Sequence, residues 1–276
     1  MKRALATALL CLAAPLCLAA RPAAAASLPP AIAKSGQMNV AIVPNYPPLE
    51  FRDPATNKLT GFDVELGEAI AKKLGIRIVW QETSFSQMLN SLHTGRVDAI
   101  LSGMTDLAAR HPVATFIDYL RTGPQFFVQA KRAGEFKSMT DLCGKKVGAS
   151  RRTSYPKEIA AWSAAHCNGK DIQFVGTDGS ADARTQLLEG RVDAAMQGNE
   201  TLPYLMQLQP DTFALVGGPI ATQYDGLALP VDQTDFQKAV DGALDAMIAD
   251  GSYKALLAKW HLQANGIEKA MINAGQ

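Results

Sequence analysis

Apolar and polar positions follow two spacings along this chain. Short stretches without helical period, at 38–43, 76–80, 97–101, 145–149 and 171–175, read as strands. Stretches with a period of three to four residues read as helices. In 62–74, Phe62, Leu66, Ala69, Ile70 and Leu74 share one face, and Gly75 ends the run. In 235–250 the stripe is Val240, Leu244, Met247 and Ile248. Helices are also expected at 85–94 with Ser84 as cap, at 154–165, at 181–189, and at 200–207 with Pro203 in the first turn. Pro44-Asn45-Tyr46-Pro47-Pro48 cannot continue a ladder and reads as a loop; 49–51 resumes extended structure and 53–58 is a turn. Residues 27–37 and those after Leu262 carry no pattern and read as loose ends. The alternation of strands and helices predicts an α/β fold.

Gly-Arg-Val-Asp-Ala occurs twice, at 95–99 and at 190–194, each time after a predicted helix and at the start of an apolar run. Such an echo predicts two lobes of similar build with a ligand cleft between them. The first copy runs on into Ser102, Gly103, Thr105 and Arg110. A strand that ends in a small-residue turn leaves backbone N–H groups free, and Gly103 has no side chain to cover them. The Thr105 hydroxyl adds a donor, and the Arg110 guanidinium can hold a carboxylate through two parallel bonds. These are the parts of a carboxylate pocket at the carboxyl end of a strand, where open α/β sheets bind ligands. A surface arginine after an ordinary strand is the other reading of this stretch taken alone.

The first 26 residues change the picture of charge and compartment. Lys2 and Arg3 precede an apolar core at 4–20, and Ala24-Ala25-Ala26 supplies small residues for cleavage before Ser27. The core is too short and too rich in alanine for a stable membrane span. Leu16 ahead of Cys17 stands where a lipoprotein site needs a small residue. The reading is a signal peptide over 1–26 and a soluble periplasmic protein. Loss of the three basic residues Lys2, Arg3 and Arg21 takes the formal charge from +1 to −2, and no basic stripe points to nucleic acid. Cys11 and Cys17 leave with the leader. Cys143 and Cys167 are expected to pair, as in other exported proteins, the alternative being two buried thiols. There is no Ser/His/Asp set, no spaced His or Cys metal site and no phosphate loop; His93, His111, His166 and His261 are scattered. No metal, no cofactor and no catalytic residue is therefore expected.

Tyr46-Pro47-Pro48-Leu49-Glu50-Phe51, Gly61-Phe62-Asp63-Val64, Phe85 ahead of a helix, the 95–110 stretch, Ala249-Asp250-Gly251-Ser252-Tyr253 and Lys259-Trp260 follow one another in a telling order. In that order the chain resembles the periplasmic solute-binding proteins of amino-acid type (family 3), which serve ATP-driven importers. The resemblance spans essentially everything after the leader. It implies a two-lobed periplasmic binding protein (type II) fold, with two crossover strands near 124–130 and 224–229 as hinge. It divides the chain into lobe 1 at 37–124 and 224–264, lobe 2 at 125–223, and a tail at 265–276. It implies a monomer that captures an amino acid or related small carboxylate by lobe closure and presents it to the membrane permease of an ABC importer.

By the same resemblance Arg110 grips the ligand's α-carboxylate, with Thr105 and Gly103 as hydroxyl and backbone partners, and Tyr46 and Phe85 are aromatic walls. In lobe 2, Thr153 and Ser154 belong to the turn that closes over the ligand, with Arg152 where the family has glycine. Leu107 stands where the family often has threonine. Two departures bear on the ligand: Val43 replaces an acid that many members carry, and Gly198 replaces the aspartate that pairs with the ligand's ammonium. An ammonium buried without an anion is costly. Either Glu200 or Glu50 substitutes, or the ligand has no α-amino group. With Arg151 and Arg152 near the cleft, the expected ligand is a carboxylate with room for a second anionic group. Two other classes fit the resemblance. One is a cyclohexadienyl (prephenate/arogenate) dehydratase-like enzyme with Glu200 as general acid. The other is a periplasmic sensor or accessory protein with a degenerate cleft.

Overall fold

Two sheets of similar build organise residues 28–276, the part of the chain that the computed structural model describes. The signal peptide expected at 1–26 lies outside the described residues. Helix α1 (Pro30–Ser35) leads into β1 (Gln37–Ile42). A small antiparallel sheet follows, made of β2 (Asn45–Tyr46), β3 (Glu50–Arg52) and β4 (Leu59–Thr60). Next come α2 (Phe62–Lys73), β5 (Arg77–Glu82), α3 (Met88–His93), β6 (Ala99–Ile100) and β7 (Thr115–Thr122). The middle of the chain forms β8 (Pro124–Gln129), β9 (Lys146–Ser150), α4 (Tyr155–His166), β10 (Gln173–Thr177), α5 (Ser180–Leu188), β11 (Ala194–Gly198), α6 (Leu202–Leu208) and β12 (Phe213–Val216). Last are β13 (Gln223–Leu229), α7 (Thr234–Ala249), α8 (Ser252–Lys259) and β14 (Met271–Ile272).

The first sheet has the order β14-β7-β13-β6-β1-β5 and the second β10-β9-β11-β8-β12. In each, three neighbouring strands run parallel: β5, β1 and β6 in the first, β10, β9 and β11 in the second. The segments expected to cross between lobes are each a strand of a single sheet. β8 pairs with β11 and β12, while β13 pairs with β7 and β6, because a buried strand must place every backbone group in one ladder. The changes of sheet fall in the links before them. At Gly123, between β7 and β8, a Cβ would lie 2.2 Å from the Ala221 carbonyl oxygen, so the two links pack backbone against backbone.

Each sheet has its own core. In the first, α2 and α7 bury Phe62, Leu66, Ile70, Val240, Leu244 and Met247 against Met38 and Val40 of β1; Ile248 is only partly covered. In the second, α4 buries Ile159 and Trp162 against Val147 and Met196. Cys143 and Cys167 form a disulfide that ties the approach to β9 to the end of α4. Closing a loop of this size contributes about 3 kcal/mol.

Three local expectations are corrected. Residues 30–35 are not loose but form α1: Pro30 suits a first helical turn, Gly36 takes the left-handed conformation that ends it, and Ile32 enters the core. Ser84 does not cap a helix; its hydroxyl lies 3.1 Å from that of Ser86, and the helix opens with a 3-10 turn at Phe85–Gln87. The tail at 265–276 is not loose either, since β14 pairs with β7 on the edge of the first sheet.

Candidate functional site

A cavity of about 160 Å³ lies between the lobes. Its walls are the segments that leave β1, β5 and β6 on one side and β9 and β10 on the other. Parallel strands release the chain at their carboxyl ends, and the matching topology of the two sheets turns both sets of exits toward one gap.

Arg110 ends a 3-10 turn at Ala108–Arg110, beyond β6. Its Nη1 donates to the Thr105 carbonyl at 2.5 Å, which folds the side chain back across its own loop. The guanidinium carbon is 5.9 Å from the centre of the Phe85 ring. Among the described residues, Arg110 takes part in none of the ion pairs. Burial lowers its pKa, with the charges of Asp225 and Asp106 opposing that shift. A half-buried guanidinium that lines the cavity and joins no ion pair among the described residues can receive an anion.

The loop under it is tightly bonded. The Ser102 hydroxyl accepts the Val43 N–H at 3.0 Å and donates to Glu50 Oε1 at 2.9 Å. Gly103 has φ +50°, and its N–H donates to Asp63 Oδ2 at 2.8 Å. The amide expected to meet a ligand is thus used within the protein. Gly103 serves another purpose: a Cβ there would lie 3.0 Å from the Tyr46 ring, so its absence lets the aromatic wall close in. Thr105 forms a bridge with Asp225.

Glu50, Asp63 and Asp225 are buried behind this loop, with the Glu50 and Asp63 carboxyls bonded to each other. Burial pushes Asp63 up to about 6. Burial also raises Glu50 and Asp225 well above the carboxylate range, with Asp63 adding to the first shift and Glu200 and Asp63 to the second. Of the three, Glu50 lines the cavity.

From the second lobe, Tyr155 at the start of α4 brings its hydroxyl to 3.0 Å from that of Tyr46. The Tyr46 hydroxyl donates to Glu200 Oε1 at 3.0 Å and accepts the Gly198 N–H at 3.0 Å. Thr122 Oγ1 donates to Glu200 Oε2. These bonds latch the lobes together, and Phe51 and Tyr204 add a ring contact at 5.9 Å. Burial pushes Glu200 up to about 7. A Cβ on Gly198 would lie 2.0 Å from Glu200 Oε1, so the carboxylate occupies the space that any side chain at 198 would need.

Six of the ten expected residues line the cavity: Tyr46, Phe85, Gly103, Thr105, Arg110 and Thr153. Four do not. Ser154 Oγ turns to Gln223 Oε1 at 3.4 Å. Arg152 is exposed and lines an adjoining recess that shares Ser84, Phe85, Ser150 and Asp178 with the cavity. Gly198 and Glu200 sit behind the tyrosines. Sequence reasoning missed Tyr155, taken as one more helical residue, and the Asp178-Gly179-Ser180 turn ahead of α5. That turn carried a readable signal, a small polar cluster just before a helical run.

Residues 38–263 match the sequence profile of the bacterial extracellular solute-binding proteins, family 3. The L-cystine-binding protein TcyJ of Escherichia coli (strain K12) is 31% identical over 230 residues, which cover 83% of this chain and 84% of that protein. Among solved structures, an ancestral arginine-binding protein bound to arginine matches with a TM-score of 0.73 at 28% identity, over 82% of this chain and 98% of that one. The ancestral amino acid-binding protein AncCDT-1, a precursor of cyclohexadienyl dehydratase, matches at 0.71 and 26% identity, over 83% and 97%.

Proposed function

We propose, from the premise that this chain belongs to the bacterial extracellular solute-binding proteins, family 3, that it captures an amino acid by its α-carboxylate for an ABC importer. Its fold is the two-lobed type II periplasmic binding fold. The observation that carries the reading is Arg110, a half-buried cation that lines the cavity and pairs with no carboxylate among the described residues. Thr105 lines the cavity beside it. Glu50 lines the same cavity; burial beside Asp63 raises its carboxyl well above the usual range, so it turns anionic only when a ligand ammonium brings it down. A zwitterion suits this pairing, its carboxylate at Arg110 and its ammonium toward Glu50. This replaces the second anionic group expected from Arg151 and Arg152. Arg151 is already paired with Asp178 at 3.0 Å, and Arg152 does not line the cavity.

In this reading the lobe at 37–124 and 224–264 moves against the lobe at 125–223. Closure makes the Tyr46–Tyr155–Glu200 latch, and a membrane permease reads the closed shape. The leader at 1–26 directs the protein to the periplasm. A thermal-shift screen of amino acids, dicarboxylates and aromatic acids tests the ligand class; a ligand at 100 times its Kd adds about 2.7 kcal/mol. The expected hit is an amino acid, lost in Arg110→Ala. A dicarboxylate that binds more tightly than every amino acid overturns the zwitterion. Incubation with prephenate and arogenate is expected to give no product, because Glu200, the acid a dehydratase would need, is bonded to Tyr46 and Thr122 instead of lining the cavity.

A further inference from the structure

Segment 270–276 lies beyond the 38–263 stretch that matches the family; it is bonded almost residue by residue to α7 and β7, and at Gly275 it reaches the back of the loop that carries Arg110. The Ala270 N–H donates to Asp245 Oδ1 at 2.7 Å. Met271 and Ile272 pair with Asp118 and Ile117 of β7. Asn273 exchanges two bonds with Phe116: its Oδ1 accepts the Phe116 N–H at 2.7 Å, and its own N–H donates to the Phe116 carbonyl at 3.0 Å. The Ala274 N–H donates to Asp118 Oδ2 at 3.1 Å and the Gly275 N–H to Asp106 Oδ2 at 2.6 Å. Only glycine fits at 275, since a Cβ would lie 2.1 Å from the Asp106 carbonyl oxygen.

Asp106 is where this segment meets the site. It is 1% exposed. One carboxylate oxygen takes the Gly275 amide, the other lies 2.6 Å from His111 Nε2, and its own amide donates to the Tyr224 carbonyl at 2.8 Å. Asp106 follows Thr105 and His111 follows Arg110, so the carboxylate–imidazole contact joins the two ends of the loop directly behind the two residues that line the cavity. The Arg110–Thr105 bond closes the same loop on its front. We propose that Asp106, His111 and Gly275 form a positioning staple for Thr105 and Arg110, with segment 270–276 as the strap that holds it. The assignment of an anion to Arg110 rests on the proposed function; the staple itself rests on the bonds.

The test compares the full chain with one ended after Asn273, which keeps β14 and removes residues 274–276 with the Ala274 and Gly275 amide bonds, and with Asp106→Ala and Asp106→Asn. Backbone hydrogen exchange of peptides over 102–111 is expected to rise about tenfold in the shortened chain and in Asp106→Ala, while α2 and the second lobe keep their rates. Asp106→Asn retains an acceptor for the Gly275 amide and is expected to restore most of the protection. Calorimetric titration with L-arginine is expected to weaken about tenfold in step. Unchanged exchange over 102–111 in the shortened chain overturns the proposal. So does exchange that rises equally across α2, β7 and β13, since the segment would then merely stabilise its lobe. A full chain that takes up none of L-arginine, L-cystine and L-histidine strikes the functional reading, and the exchange comparison still decides the staple.

Discussion

The two Gly-Arg-Val-Asp-Ala stretches fold alike and end differently. Gly95 and Gly190 both take the left-handed conformation, with φ of +67° and +70°, and stop the helix before them. The Arg96 and Arg191 amides return to helix carbonyls, those of Ser91 and Gln186, each at 2.9 Å. Val97 and Val192 are both buried. Asp98 Oδ2 accepts the Asn39 amide of β1 at 2.7 Å, and Asp193 Oδ2 accepts the Lys146 amide of β9 at 3.0 Å. Beyond their strands the copies part. The first continues into a loop that sets a lone cation at the cavity, and the second into an acid folded back over its own glycine. The scaffold is therefore repeated, and the character of the site lies in the few residues that follow each copy.

The asymmetry is broken most strongly at Arg110. Arg110→Ala is expected to weaken ligand binding by about 100-fold or more, the loss of a desolvated charge pair, while the melting temperature without ligand stays put; calorimetry beside thermal unfolding checks both. Removing the disulfide by Cys143→Ser with Cys167→Ser is expected to cost about 3 kcal/mol. The cost should fall on the second lobe alone, seen as earlier loss of exchange protection there than in α2. Gly198→Ala forces the Glu200 carboxylate aside and is expected to cost about 2 kcal/mol by overpacking, with the latch to Tyr46 weakened. Chemical denaturation measures the loss, and a neutral result would mean that the acid has room to move.

A smaller effect follows from pH. Glu200 is raised to about 7 by burial, so the folded protein holds this proton more firmly than the unfolded chain. Its stabilising contribution is complete below the unfolded value near 4.5 and is lost as pH rises through about 7. Asp63, raised to about 6, acts with the same sign in the first lobe. Stability measured in urea is thus expected to fall between about pH 4 and 7, and Glu200→Gln to flatten that slope without abolishing it. The smallest effect tests the likeness of the copies. Gly95→Ala and Gly190→Ala are each expected to cost about 1 kcal/mol, from strain at positive φ in open surroundings; clearly unequal costs would show that the two turns are not equivalent.

The frame was legible wherever a pattern is local. The stripes of α2 and α7 follow from helical spacing, and the echo at 190–194 reported the second sheet before any contact was known. The site was legible on the first lobe, where Gly103, Thr105 and Arg110 stand close together in the chain. It was poorly legible on the second. Tyr46 meets Tyr155 across 109 positions and Glu200 across 154, and no spacing in the chain announces either contact. The strap at 270–276 escaped notice because its bonds run mainly from backbone amides, and its side chains show no pattern.

By itself the sequence determined the alternation of strands and helices, the division into two like halves and the cation at the end of the first, since these follow from side-chain period and turn chemistry within a few residues. Only the tertiary structure decided where the buried polar groups find their partners. The Gly103 amide goes to Asp63 rather than to a ligand, Glu200 goes to Tyr46 and Thr122, and Glu50, which lines the cavity, goes to Ser102 and Asp63. A buried polar group must be paired wherever the chain happens to bring a partner, and that depends on segments distant in sequence meeting in one place.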